Sequence, residues 1–335
     1  MRRDNFGVSD AWPKRPFADH PLLTLVGNTP LVRLRHIWPQ DSPVEVLVKV
    51  EGFNPGGSVK DRPALYMVAD ALDSGRLGSR TLLDATSGNT GIAYAMIGAA
   101  LGLKVAVCLP ANASEERKRL LAAYGARVIL TDPLEGAEGA RVEARRLAEA
   151  YPDEFVWLDQ YNNPANPRAH YETTGPEIWR DTRGQVTHLI AGAGTGGTVM
   201  GTGRYLKARN PSVRVIGVQP DNPLHGMEGL KHMESADVPG IYDASQLDAV
   251  EFVDTDSAYD MVRRLAREEG IMAGPSGGAA VVAALRVASR ERHGRLVAIL
   301  PDNGTRYLST PVWQDVGGQR AGGVASGPRA ERGRP

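Results

Sequence analysis

The stretch VEVLVKVEGFNPGGSVKDRPALYMVADAL (44–72) joins a strand, a loop and a helix. VEVLVKV, with valine at every second position, reads as a strand. ALYMVADAL spaces its apolar residues as a helix does. Pro63 is tolerated only in the first turn of a helix, so the helix starts just before it. That places Lys60 beside or in the first turn, behind a Pro-Gly-Gly loop. The helix end favours anions over an ammonium group. A lone lysine is ordinarily a solvated surface residue. At the start of a buried helix, however, dipole and desolvation both lower its pKa and favour the neutral amine.

The same order repeats along the chain. TLLDA (81–85) precedes a helix over 92–101, and KVAVCLP (104–110) precedes SEERKRLLAAYG (114–125). In the latter, Ser114 with Arg117 and Lys118 predicts a cap and an exposed face. RVILTD (127–132) leads to GARVEARRLAEAYP (139–152), and THLIAG, VRVIGVQP and RLVAILP each have a helix nearby. Repeated strand–loop–helix units argue for parallel sheets covered by helices, with ligands gathered beyond the carboxyl ends of the strands.

Composition bounds the partners. The 335 residues are 42% hydrophobic and 23% charged, enough for one large domain or two ordinary ones. Lys+Arg 39 balance Asp+Glu 39, so nothing calls for nucleic acid or an anionic membrane, and a small molecule is the expected partner. IAYAMIGAALGL (92–103) is too short to span a bilayer, and the N-terminal stretch lacks the apolar core of a signal peptide. Cys108, the single cysteine, excludes an internal disulfide. It reads as a buried structural thiol in a reducing, cytoplasmic compartment. Residues 1–18 and 314–335 read as disordered tails.

Three further loops follow strands. AGAGTGGTVMGTG (191–203) offers glycines for close backbone approach and a helix start suited to phosphate. Gly192, Gly194 and Gly197 also fit a dinucleotide pattern. That pattern wants an acidic residue ending the next strand, where Gln219 stands, with Asp221 close by. An NAD-dependent oxidoreductase is therefore a distant alternative. TSGNTG (86–91) is either a capped turn or a carboxylate pocket built of hydroxyls and helix-end amides. AGPSGGAA (273–280), with Ser276 at its centre, would by itself be a turn. The seven histidines show no close pair at ligand spacing, so no metal is called for. An amine-bearing loop, a phosphate cup and a carboxylate pocket in one α/β protein suggest an aldehyde cofactor with a phosphate handle, which describes pyridoxal phosphate.

On these residues the sequence resembles the fold type II pyridoxal-phosphate enzymes, the tryptophan synthase β-like family. Within it, the chain is most similar to the B-type cysteine synthases (O-acetylserine sulfhydrylases). NPGGSVKDR (54–62) resembles the family's lysine motif, TSGNTG its substrate loop, GTGGT (194–198) its phosphate loop and GPSGG (274–278) the loop facing the pyridine nitrogen. NNPANPRAHYETTGPEIW (162–179) and RYLST (306–310) resemble the B-type form, and the similarity covers about residues 22–313.

The resemblance implies two three-layer α/β/α domains with mainly parallel sheets and the cofactor in the cleft between them. Residues 19–45 plus 159–313 would form the larger, cofactor-binding domain and 46–158 the smaller, mobile one. It implies that Lys60 holds the cofactor as an imine and later acts as base, and that Asn89 hydrogen-bonds the cofactor's ring oxygen. Thr86, Ser87, Gly88 and Thr90 would hold the substrate carboxylate, with Gln160 closing over it. Gly194, Thr195, Gly196, Gly197 and Thr198 would bind the phosphate, and Ser276 would meet the ring nitrogen. The implied reaction is β-replacement in a homodimer: O-acetyl-L-serine loses acetate to give an aminoacrylate, and sulfide adds to give L-cysteine. In GMEGLKHM (226–233), Lys231 and His232 stand where B-type relatives tend to carry paired arginines. Lys231 over the entrance would favour an anionic co-substrate such as thiosulfate, or a phosphorylated serine. O-phosphoserine-using cysteine synthesis and cystathionine β-synthesis are the alternatives on the same fold.

Overall fold

The structure, a computed structural model, describes residues 17, 20–86 and 88–314. The predicted tails and Ser87 of the substrate loop lie outside the described residues, apart from Phe17 and Gln314.

The chain runs β1 (Leu31–Arg33), β2 (Val44–Val50), α1 (Asp61–Asp73), β3 (Thr81–Ala85), α2 (Asn89–Leu101), β4 (Val105–Pro110) and α3 (Glu115–Ala123). It continues through β5 (Arg127–Thr131), α4 (Gly136–Ala150), β6 (Phe155–Trp157), α5 (Ala165–Ala169), α6 (Gly175–Asp181), β7 (His188–Gly192) and α7 (Gly197–Arg209). The last elements are β8 (Arg214–Pro220), β9 (Ala249–Val253), α8 (Thr255–Arg264), α9 (Pro275–Ala288) and β10 (Gly294–Leu300).

Two sheets result. Six strands order as β1-β2-β10-β7-β8-β9 and four as β5-β4-β3-β6. Only β1 pairs antiparallel, with β2. The crossover helices explain the rest, because a parallel neighbour needs a long return connection. The buried strands read as expected: β4 is buried at every position, and β2 at five of seven. Strands β1, β6 and β9 are additions to the sequence reading. The boundary expected at residue 46 falls inside β2, whose seven residues pair with β10 in the larger sheet.

The helix start predicted ahead of Pro63 is observed. Lys60 is the N-cap of α1 and Asp61 its first residue. Pro275 likewise occupies the first position of α9, where its missing N–H costs no hydrogen bond. The expected exposed face of α3 needs correction. Ser114 is the N-cap, but its side chain makes no capping bond, and Arg117 is buried. Its guanidinium pairs with Glu228 and lies 5.3 Å from the Tyr307 ring centroid, so it points into the molecule. Cys108 is fully buried, and burial pushes its thiol up to about 12, leaving it inert. Among the described residues, no helix is long and apolar enough to cross a membrane.

Candidate active site

The carboxyl ends of β3, β7 and β10 open onto one cavity of about 160 Å³. It is lined by residues from all four loops: Lys60; Thr86, Asn89 and Thr90; Gly194, Thr195, Gly196 and Thr198; and Ser276. Gln160 and Lys231 complete the predicted residues that face it. Gly88 and Gly197 do not line it. A side chain on Gly88, which adopts φ +153°, would meet Arg117 Cδ at 2.5 Å, so this glycine makes room for the arginine. Gly197 lies against Asn166, where an added methyl would overlap the amide oxygen.

Lys60 contributes its side chain from the start of α1 without using it as a cap. Burial holds the amine below the ordinary lysine range, while the Asp302 carboxylate pulls the other way. The amine makes no hydrogen bond or ion pair among the described residues. Two residues on, Arg62 is wholly buried. It donates to Glu51 (Nε–Oε2 2.7 Å, Nη2–Oε1 2.9 Å) and to Glu177 (Nη1–Oε1 2.6 Å, Nη2–Oε2 2.8 Å). Lys49, also buried, reaches Glu177 Oε2 at 2.8 Å. The loop carrying Lys60 is therefore anchored from behind by a paired ion network.

The glycine loop between β7 and α7 suits an anion. The amides of Gly194, Thr195 and Gly196 donate to nothing among the described residues, and α7 begins one residue later with Gly197, whose amide donates to Thr195 Oγ1. Its backbone is sterically fixed. Gly196 has φ +88°, and a methyl on Gly194 would overlap the Gly229 carbonyl. Among the cavity-lining residues Glu228 is the single carboxylate, and Arg117 holds it at the mouth. A cup of N–H and hydroxyl donors facing an unpaired amine fits pyridoxal phosphate.

Across the cleft, Gln160 ties the 86–91 loop together. Its Nε2 donates to the Ala85 carbonyl (2.7 Å), and its Oε1 accepts from the Thr90 hydroxyl (2.8 Å). Asn89 Nδ2 donates to Asp302 Oδ2 at 2.6 Å, and its Oδ1 accepts from Arg306. The Tyr307 hydroxyl donates to the same Asp302 oxygen at 2.5 Å. Lys231 stands at the mouth, 4.8 Å from the Tyr161 ring centroid. Gln219, at the end of β8, accepts from the Met233 amide (3.2 Å) and donates to the Tyr242 hydroxyl (3.2 Å). It braces the segment after β8 and offers no acidic group for a ribose.

Sequence reasoning missed Arg117, Asp302 and Tyr307. Asp302 immediately follows the strand RLVAILP, so the rule that ligands gather beyond strand ends was a usable signal for it. Arg117 had none, since SEERKR is charged all round.

Comparison with known proteins places this architecture. A family model described as pyridoxal-phosphate dependent enzyme matches residues 22–302. A cysteine synthase of Aquifex aeolicus is 53% identical over 305 residues, 89% of this chain and 93% of that protein. Cysteine synthase B of Pseudomonas aeruginosa is 48% identical over 291 residues, covering 86% and 95% respectively. The crystal structure of a cysteine synthase from Entamoeba histolytica superposes with a TM-score of 0.83 at 34% identity, covering 92% of this chain and 94% of that one.

Proposed function

The chain belongs to the pyridoxal-phosphate dependent enzymes, and from that premise we propose that it makes L-cysteine by β-replacement from O-acetyl-L-serine and sulfide. The observation that carries this reading is the convergence of Lys60, the 86–91 loop, the 194–198 loop and Ser276 on one cavity. Pyridoxal phosphate, when bound, supplies a reactive carbonyl and an electron-accepting ring. The residues of the chain supply the rest. Lys60 holds the cofactor and moves the proton at the substrate α-carbon. The loop 194–198 takes the phosphate. Asn89 orients the ring oxygen. Thr86, Ser87 and Thr90 receive the substrate carboxylate at the start of α2, with Gln160 fixing their loop; Gly88, expected among them, faces Arg117 and donates its amide to Thr86 Oγ1 at 2.9 Å, so it shapes the loop instead. Ser276 offers the ring nitrogen a neutral hydroxyl, which does not hold it protonated, and this favours loss of a β substituent over transamination.

The four-stranded sheet is proposed as the smaller, mobile unit and the six-stranded sheet as the fixed one. Its ties to the segment after β8, Arg117–Glu228 and Arg141–Asp237, are the contacts that closure would rearrange. A homodimer in the cytoplasm is part of the same proposal, supported by the family and by the lone, buried Cys108. A second reading has one observation in its favour: Lys231 at the mouth suits an anionic partner, O-phosphoserine or thiosulfate.

Substrate comparison separates these. With sulfide present, O-acetylserine is expected to give cysteine with parallel double-reciprocal lines, and O-phosphoserine and serine to give much less. Turnover confined to O-phosphoserine, or to homocysteine as acceptor, would contradict the first reading.

The lowered pKa of Lys60 gives a pH prediction. Its neutral fraction grows as pH rises through a value below that of ordinary lysine. Cofactor uptake by the apo-protein should therefore accelerate with pH and level off early. Asp302→Asn removes the charge that raises the pKa, so the plateau should move lower still. Stopped-flow absorbance reads both, and a plateau at the ordinary lysine value would contradict the assignment.

A further inference from the structure

The segment NNPANPRAH (162–170) resembles the family but has no role in the reading above. It lies directly behind the glycine loop. Asn166 and His170 stand one turn apart, on α5 and at the head of a π-helical turn (His170–Thr174), so their side chains share a face. Both are buried. Asn166 Nδ2 donates to the Gln160 carbonyl at 2.7 Å and to Thr195 Oγ1 at 3.1 Å. His170 Nδ1 lies 2.8 Å from Thr174 Oγ1, and its Nε2 lies 3.3 Å from Thr198 Oγ1. The seat is tight, because a methyl on Gly201 of α7 would sit 2.8 Å from His170 Cβ.

Hydrogen-bond inventory then decides what the two threonines can do. The Gln160 carbonyl accepts only, so the NH2 end of Asn166 must face it, and that end also faces Thr195. Thr195 Oγ1 accepts a second bond from the Gly197 amide at 3.3 Å. Both its lone pairs are occupied, and its proton is left for the cavity it lines. Burial, with Arg62 and Lys60 nearby, holds the His170 imidazole well below the usual histidine range, hence neutral. A neutral ring has one donor and one acceptor. The Thr174 hydroxyl has no other partner among the described residues, so its proton goes to Nδ1; the ring proton then sits on Nε2 and faces Thr198, whose own proton is likewise left for the cavity.

We propose that Asn166 and His170 are positioning residues that make Thr195 and Thr198 obligate donors, rendering the 194–198 loop selective for a dianionic phosphate. This rests on the reading of that loop as the phosphate cup. The same Asn166 amide reaches Gln160, whose side chain holds Thr90, so the clamp also joins the cup to the substrate loop.

The test titrates full-length apo-protein with pyridoxal phosphate and, separately, with phosphate-free pyridoxal, following protein fluorescence. Asn166→Asp, which exchanges a donor for a negative acceptor, is expected to weaken pyridoxal phosphate binding about ten- to hundredfold and to leave pyridoxal binding unchanged. His170→Ala should weaken it about tenfold, and His170→Gln, which keeps a donor near the Nε2 position, should restore it. Equal losses for both ligands would make the two residues merely structural and overturn the proposal. So would nitrogen NMR placing the His170 proton on Nδ1. Wild-type protein that binds pyridoxal as tightly as its phosphate would instead remove the phosphate-cup reading beneath it. Should Asn166→Asp fail to fold, the two His170 variants decide alone.

Discussion

Lys60→Ala is expected to reduce cysteine formation by on the order of 10²–10⁴-fold or more, the range for removing a positioned acid–base group, and to abolish the visible absorbance of the lysine-bound cofactor. Among the described residues the cavity has one other lysine, Lys231. Its ammonium sits at the mouth against Tyr161, 3.4 Å from the Asp237 carbonyl oxygen, and does not substitute for an amine at the start of α1. Lys49 is committed to Glu177 and to the Thr29 carbonyl, the latter at 2.6 Å. The variant should still fold, because the Lys60 side chain neither caps α1 nor pairs with another described residue. Absorbance spectra and steady-state assays check it; an absorbing, active variant would move the chemistry to another group.

Arg62→Ala carries the largest expected loss of stability, about 3–5 kcal/mol, the usual penalty for removing one partner of a buried ion pair. The guanidinium is fully buried and holds two carboxylates, each by two hydrogen bonds. Without it, Glu51 keeps Thr29 (2.7 Å) and Asn54 (2.9 Å) as hydrogen-bond donors but has no cation among its close partners. The network also has a pH signature. Burial of Glu177 raises its carboxyl, but Arg62 and then Lys49 outweigh this and hold it down at about 2. A depressed folded-state pKa contributes stability that is present above the ordinary carboxylate pKa and lost as pH falls through about 2. Arg62→Ala should therefore unfold at higher pH on the acid side than the parent. Denaturant titrations at neutral and acid pH measure both effects; a loss under about 1 kcal/mol would show that the network relaxes around the gap.

Much of this arrangement is legible in the sequence. Valine-rich runs such as VEVLVKV mark strands, their repetition before helical patterns marks a parallel sheet, and Pro63 places the start of α1 at Lys60. The loops that follow strands bring chemistry to one place because a parallel sheet directs all its carboxyl ends the same way. What pattern reading misses is tertiary. Arg117 lies in a helix whose charges give no hint that one of them turns inward, and only the fold shows Gly88 making room for it. Asn166 and His170 occupy a stretch without clear periodicity, and their role depends on a π-helical turn that places His170 against both Thr174 and Thr198. The short strands β1, β6 and β9 form because neighbours with longer apolar runs offer them an edge to pair with.

The proposed function turns on Lys60 as the residue to which the cofactor attaches. Borohydride reduction of the purified holo-protein, followed by proteolysis and mass spectrometry, tests it most directly. The cofactor's mass is expected on the peptide bearing Lys60 and nowhere else. The same mass on a peptide bearing Lys231 or Lys49, or on none, would contradict it.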